Sequence, residues 1–346
     1  MKTMQAAQLT EIGKPLEVVE VPVPEPGAED ILVRVRAAGI CSSDLHYQEG
    51  RSEVTKLPII QGHEISGEVA GCGKNVEGLK GGDRVSLFYL ATCGKCMMCA
   101  TGNDNYCDKA KMLGKNIDGG FAEFVIVPAR NAFPFPETIP FPQAALITDA
   151  VATPFHALKR AAVQTGESVL IIGIGGLGIH AVQIAKIMGA GQVIAMDLED
   201  DKLDLALKVG ATAAINPKRD NVEDKIAAIT GGIGVNVAVE LIGLPITIRQ
   251  AIDCTGLGGR TVVVGICPDE VILNPYHDLL LRERTIMGSA DQCRADFPVI
   301  IEMAVQKRLD LSHSVSHELP LKDINKGLEM LKKKDQNLVR IVVTFP

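Results

Sequence analysis

Four cysteines, Cys93, Cys96, Cys99 and Cys107, stand in the spacing C-x2-C-x2-C-x7-C. That spacing brings four thiolates within reach of one tetrahedral centre, the coordination Zn²⁺ prefers in a closed structural site. The residues between them (Gly94, Lys95, Met97, Met98, Gly102, Asn103, Asn105) are loop formers that cannot fill a core. A bound ion therefore supplies the folding free energy of this lobe. A pair of disulfides or a redox Cys-x-x-Cys is the other reading, and the repeated spacing favours zinc. A closed site organises a lobe but leaves no open coordination position, so any reaction lies elsewhere.

A second pattern is Gly173-Ile174-Gly175-Gly176-Leu177-Gly178, a G-x-G-x-x-G after an apolar run and before a helical one. Glycine lets the backbone turn tightly and approach a pyrophosphate, whose charge the helix N-terminus meets. Asp197 ends the next apolar run, and a carboxylate there accepts ribose hydroxyls and repels a 2′-phosphate, which points to NAD over NADP. The plain alternative is an exposed acid among other acids, Glu199, Asp200 and Asp201. Cys41 and His63 are candidates for a second metal site. Their separation alone does not distinguish ligands from packing residues. Cys72, Cys254, Cys267 and Cys293 have no partner pattern and read as buried apolar residues.

These residues need elements to hold them. The first third reads as β: Ile31–Arg36 and Phe121–Val127 alternate as half-buried strands. Prolines at 134, 136, 140 and 142 are expected to block regular structure and mark a boundary. Beyond about residue 150 the rhythm changes. Apolar runs at Ser168–Ile172, Gln192–Met196, Val235–Val239, Thr261–Val264 and Thr285–Met287 alternate with helical stretches, including Gly176–Met188 and Asp201–Val209. Such runs predict a parallel sheet in an α/β domain. A cationic helix through Leu331–Lys334 and a strand over Leu338–Phe345 follow.

The 346 residues exceed one ordinary core, so two domains are expected. A net charge of −7 without a basic block argues against a nucleic-acid surface and favours a small-molecule partner. No apolar run is long enough for a membrane span, and no signal core follows Met1. An odd count of nine cysteines fits a reducing, cytoplasmic setting.

In these motifs and their order, the chain resembles the zinc-containing medium-chain alcohol dehydrogenases. Gly62-His63-Glu64-Ile65-Ser66-Gly67, continuing to Gly73 and Val76, is similar to their zinc-site motif. The resemblance implies a GroES-like β-rich catalytic domain at 1–150, with the zinc lobe at 93–107. A doubly wound Rossmann domain would occupy 151–290, and 291–346 would return to the catalytic domain. Cys41, His63 and Asp149 would be the catalytic zinc ligands, Asp149 replacing the cysteine of many relatives. Two Zn²⁺ per chain and NAD are implied. Glu64 resembles the acid that approaches this zinc, and Asp44 the carboxylate that orients His63. Ser43 and His46 resemble a proton relay through the cofactor ribose, and Lys202 a ribose contact. Arg340 matches a phosphate-binding position, and Tyr89 and Phe121 match positions lining the pocket. The implied activity is hydride transfer between a secondary or bulky alcohol and NAD by a homodimer or homotetramer. A polyol, an amino alcohol or an alicyclic hydroxyacyl thioester is the alternative substrate. A non-catalytic NAD- and zinc-binding protein is the alternative outside enzymes.

Overall fold

The computed structural model describes residues 2–333 and 338–346, so Lys334 of the expected cationic helix lies outside the described residues. The chain divides into two compact units: Met1–Ala150, Cys293–Lys307 and Leu311–Pro346 form one, and Val151–Gln292 with Arg308–Asp310 form the other.

The first unit is built on a seven-stranded sheet. Its path runs Ala132–Pro134, Arg84–Leu87, Glu64–Cys72, Asp30–Ile40, Ile341–Thr344 and His317–Pro320, with Phe124–Pro128 also paired to Asp30–Ile40. The strand Ile341–Thr344 inserts antiparallel to Ala37–Ile40, so sequence more than 300 residues apart becomes adjacent. Val342 and Ala37 then pack on Ala145, Leu146 and Ala150 from the following helical stretch. Residues 135–140, with Pro136, form neither helix nor strand, as expected, but the flanking prolines sit in or at regular elements. Pro134 closes an edge strand, where a missing N–H costs no ladder bond, and Pro140 and Pro142 open the helix Phe141–Leu146. The predicted strand at Phe121 starts only at Phe124, and that at Leu338 only at Ile341.

In the second unit we label the strands β1 (Ser168–Ile172), β2 (Gln192–Met196), β3 (Ala213–Ile215), β4 (Val235–Glu240), β5 (Thr255–Val263) and β6 (Thr285–Gly288). All pairs are parallel, in the order β3-β2-β1-β4-β5-β6. Leu170, Ile172, Ile194 and Met196 are buried together with Ile215 and Ile226. Each such side chain contributes roughly 1.5–3 kcal/mol on burial, against about 1 kcal/mol net for a ladder hydrogen bond. Packing, more than the ladder, therefore holds this sheet. Helix α1 (Gly178–Ile187) follows β1 and α2 (Asp200–Val209) follows β2. The strand order reverses between β1 and β4, the crevice where open α/β sheets take their ligands. No helix among the described residues is long and apolar enough to cross a membrane.

Candidate active site

Sheet register assembles the buried donor set of the first unit. Ile40 pairs with Ile341 and Gly39 with Glu64. Cys41, His63 and Arg340 each adjoin a paired position, so they reach the same end of three strands. Asp149 comes from a π-helical turn, Ile147–Val151, that continues the helix Phe141–Leu146. Such wide turns recur at functional sites because the extra residue re-aims a side chain. Asp149 is therefore no helix N-cap: Ala152–Arg160 begins after it, with no side-chain cap.

Cys41 Sγ lies 3.4 Å from Asp149 Oδ2, and His63 Nε2 lies 3.6 Å from the same oxygen. All three residues are buried. A tetrahedral ion with bonds of about 2.0–2.3 Å separates neighbouring donors by roughly 3.3–3.8 Å. The spacing and the mixed sulfur, nitrogen and oxygen chemistry both fit a zinc ion.

The surrounding side chains set the electrostatics. Asp44 Oδ2 accepts the Cys41 N–H at 2.8 Å, which caps the helix Ser42–Gln48, while Oδ1 lies 3.5 Å from His63 Nδ1. That approach favours a proton on Nδ1 and leaves the Nε2 lone pair facing Cys41 and Asp149. Burial pushes the His63 pKa down, but Asp44 and Asp149 outweigh it and hold the metal-free imidazole well above its usual range. Glu64 Oε1 accepts from Arg340 Nη2 at 2.6 Å and from Ala150 N–H at 3.2 Å. Burial raises the Glu64 pKa to about 7, against the pull of Arg340. Gly39 makes room for this acid, since a Cβ there would come within 1.9 Å of Glu64 Oε2.

Arg340 is 3% exposed, and its Nη2 also donates to Asp149 Oδ2 at 3.3 Å, so that nitrogen serves two carboxylates at once. One expectation changes. Phe121 is fully buried, with its ring beneath Gly62, and supports the His63 loop from below instead of lining a pocket. Tyr89 does meet His63, edge to face at 5.3 Å. Ser43 Oγ lies 3.6 Å from Cys41 Sγ. His46 follows one turn later on the same helix, half-buried. Burial, then Arg51, hold its pKa below the ordinary value, with Glu49 opposing.

The four-cysteine lobe is a separate centre. Its sulfurs lie within 4.8 Å of one another, with Cys96–Cys99 at 3.5 Å and Cys93–Cys99 at 3.9 Å. Backbone N–H groups of Lys95 and Cys96 lower Cys93 to about 6. Cys96 rises to about 11: the Cys99 N–H opposes this, but desolvation and the neighbouring thiols prevail. Four sulfurs that cannot ionise together without a cation fit a metal. Cys72 is exposed and Cys267 half-buried, unlike the buried Cys254 and Cys293.

In the second unit, Gly173 adopts φ +94°, and a Cβ at Gly178 would lie 2.0 Å from Gly173 O, so strand and helix can close only on glycine. A Cβ at Gly175 would meet nothing, leaving the half-exposed Gly175, Gly176 and Leu177 open to a ligand before α1. Asp197 Oδ2 accepts the Ile174 N–H at 2.7 Å and Oδ1 the Glu199 N–H at 3.1 Å. Lys202 lies half-buried on α2. The sequence reading missed Glu240. It is fully buried at the end of β4, where Oε1 accepts from Ile242 N, Gly243 N and Thr247 Oγ1. An acid closing an otherwise apolar run was the available signal.

Fold and donor sets together fit an α/β oxidoreductase with side chains able to hold a metal in its β-rich unit. The chain belongs to the zinc-containing medium-chain alcohol dehydrogenase family. Residues 27–137 match the alcohol dehydrogenase GroES-like domain and 176–306 the zinc-binding dehydrogenase domain. An alcohol dehydrogenase of Geobacillus stearothermophilus is 36% identical over 336 residues, 96% of this chain and 98% of the relative. An L-threonine 3-dehydrogenase of Escherichia coli is 33% identical over 337 residues, 95% and 96% of the two chains. The structure of a zinc-binding dehydrogenase from Sinorhizobium meliloti bound to NADP superposes with a TM-score of 0.91 at 29% identity, covering 100% of both chains.

Proposed function

We propose that this enzyme oxidises a secondary or bulky alcohol to the carbonyl compound with NAD, or runs the reverse reaction. The observation that carries the reading is the convergence of Cys41 Sγ, His63 Nε2 and Asp149 Oδ2. Zinc held there supplies Lewis-acid polarisation of the substrate oxygen, and NAD supplies the hydride acceptor. The chain's residues do the rest. Asp44 fixes the His63 tautomer. Arg340 balances Glu64 and Asp149, so two acids coexist in a buried site. Ser43 takes the hydroxyl proton toward His46, whose lowered pKa keeps it neutral and able to accept near pH 7. Cys93, Cys96, Cys99 and Cys107 hold a second, structural zinc. Residues 151–292 form the dinucleotide-binding domain, with pyrophosphate at Gly173–Gly178 and the adenosine ribose at Asp197 and Lys202.

An amino alcohol is the second reading, favoured by the L-threonine 3-dehydrogenase relative. The enzyme works as a homodimer or homotetramer in a reducing cytoplasm. Apolar side chains left exposed at Leu257, Ile272 and Leu280 support assembly. The test is steady-state oxidation of a panel of secondary alcohols, polyols and 2-amino-3-hydroxy acids with NAD. Turnover of a bulky secondary alcohol is expected. Preference for an amino acid would install the second reading, and no turnover by the zinc-loaded protein would remove both.

A further inference from the structure

Asp197 already accepts two backbone N–H groups, so it has fewer lone pairs left for discriminating one cofactor from another. Beside it, at the C-terminal ends of β2 and β3, lies a cavity of about 370 Å³ lined by Leu198–Asp201, Asn216, Lys218 and Arg219. The lining is built by a turn. Arg219 and Asp220 N–H groups donate to Asn216 O at 3.1 and 2.9 Å, and Asn216 N–H donates to Asp220 Oδ2 at 2.9 Å. Asn216 Nδ2 then ties this turn to Leu198 O at 3.1 Å and Asp200 Oδ1 at 2.8 Å. The turn thus brings two cations next to the carboxylate that reads the ribose. Neither cation faces the cavity uncommitted. Lys218 Nζ pairs with Glu199 Oε1 at 2.9 Å, and Arg219 Nη1 pairs with both carboxylate oxygens of Asp200.

We infer that Glu199 and Asp200 determine cofactor specificity by holding Lys218 and Arg219 in ion pairs, withholding both cations from a 2′-phosphate. A phosphate dianion there must compete with Glu199 and Asp200 for the donors of Lys218 and Arg219, and it meets the repulsion of both acids. Because all four side chains are more than half exposed, each pair is individually weak and the latch can be opened by mutation without harming the fold. The inference rests on the NAD reading above and assigns its discrimination to a second set of residues.

The experiment compares wild type with E199Q/D200N, measuring kcat/KM for NADP and NAD and the binding of 2′,5′-ADP against 5′-AMP by calorimetry. In E199Q/D200N the NADP-to-NAD ratio and the relative affinity for 2′,5′-ADP are each expected to rise about tenfold. Adding K218A/R219A to that background should cancel the gain, and 0.5 M salt should shrink it. An unchanged ratio with Asp197 intact overturns the latch. So does a gain that survives K218A/R219A, since repulsion by the acids alone would then explain it. Wild type that already favours NADP refutes the NAD reading itself, a result that the wild-type measurement gives separately.

Discussion

The two donor sets of the first unit solve opposite problems. The lobe takes four like ligands from 15 consecutive residues, Cys93 to Cys107, and two of its cysteines bracket the exposed Met97 and Met98. The Cys41, His63 and Asp149 set takes three unlike ligands from positions up to 108 apart, all buried, and surrounds them with Asp44, Glu64 and Arg340. A local set needs only loop geometry and the ion to form. A distributed set needs the sheet register first, and its charges must then be balanced by neighbours. The first kind suits a fastening, and the second suits a centre that must hold an ion while leaving a position open.

This contrast can be broken at its strongest point. Asp149→Asn is expected to lower kcat by about 10³-fold or more and to release the buried ion while the lobe keeps its own. Zinc analysis of the purified variant should fall from two ions per chain to one, and Asp149→Cys should restore part of both. Near-normal turnover with two zinc ions would make Glu64 the ligand to test next. The reciprocal change, Cys99→Ser, should act on folding. With one of four thiolates gone the lobe loses its ion, and the melting temperature should drop by roughly 10 °C. Any soluble fraction should retain the buried zinc, and a variant as stable as wild type would mean the lobe folds without metal.

Smaller effects sharpen the comparison. Asp44→Asn removes the charge facing His63 Nδ1 and is expected to cost about 10–100-fold in zinc affinity or activity. A competitive chelator titration would read it, and an unchanged affinity would leave Asp44 as a helix cap only. The smallest effect concerns protons. His46 must be neutral to accept one, so activity should fall as the pH drops through its lowered pKa. Arg51 helps to depress that pKa, so Arg51→Gln should raise it and move the acid limb of kcat/KM upward by a few tenths of a pH unit. An unmoved limb would take His46 out of the relay.

Legibility follows the same division. The lobe and the glycine turn were readable because each is a contiguous run whose spacing carries the geometry. Four of the six parallel strands were readable to within a residue because a sheet buried on both faces writes continuous apolar runs, whereas the three-residue β3 was missed and β5 begins at Thr255, six residues before the run expected at Thr261. Asp149 was reached through resemblance: no local pattern announces a π turn, and an acid before a helix normally reads as a cap. Arg340 was read without its carboxylate partners, for a deeper reason. Its partners depend on pairing Ile341 with Ile40, a long-range fact invisible in either segment. Of the prolines, Pro134, Pro140 and Pro142 were misread because their effect depends on whether an edge or a helix start receives them.

The late arrival of that strand also orders the making of the site in time. Arg340 is joined to the growing chain 191 residues after Asp149, a lag of roughly ten to forty seconds at ~5–20 residues per second. Until then Glu64 and Asp149 lack the guanidinium that balances them in the finished site, and the sheet register that gathers the buried set is incomplete. The Cys93–Cys107 lobe, complete much earlier, can take its ion from its own short stretch of chain. Metal supply during synthesis therefore bears on the two centres differently, and starvation for zinc should leave chains with the lobe loaded and the buried site empty.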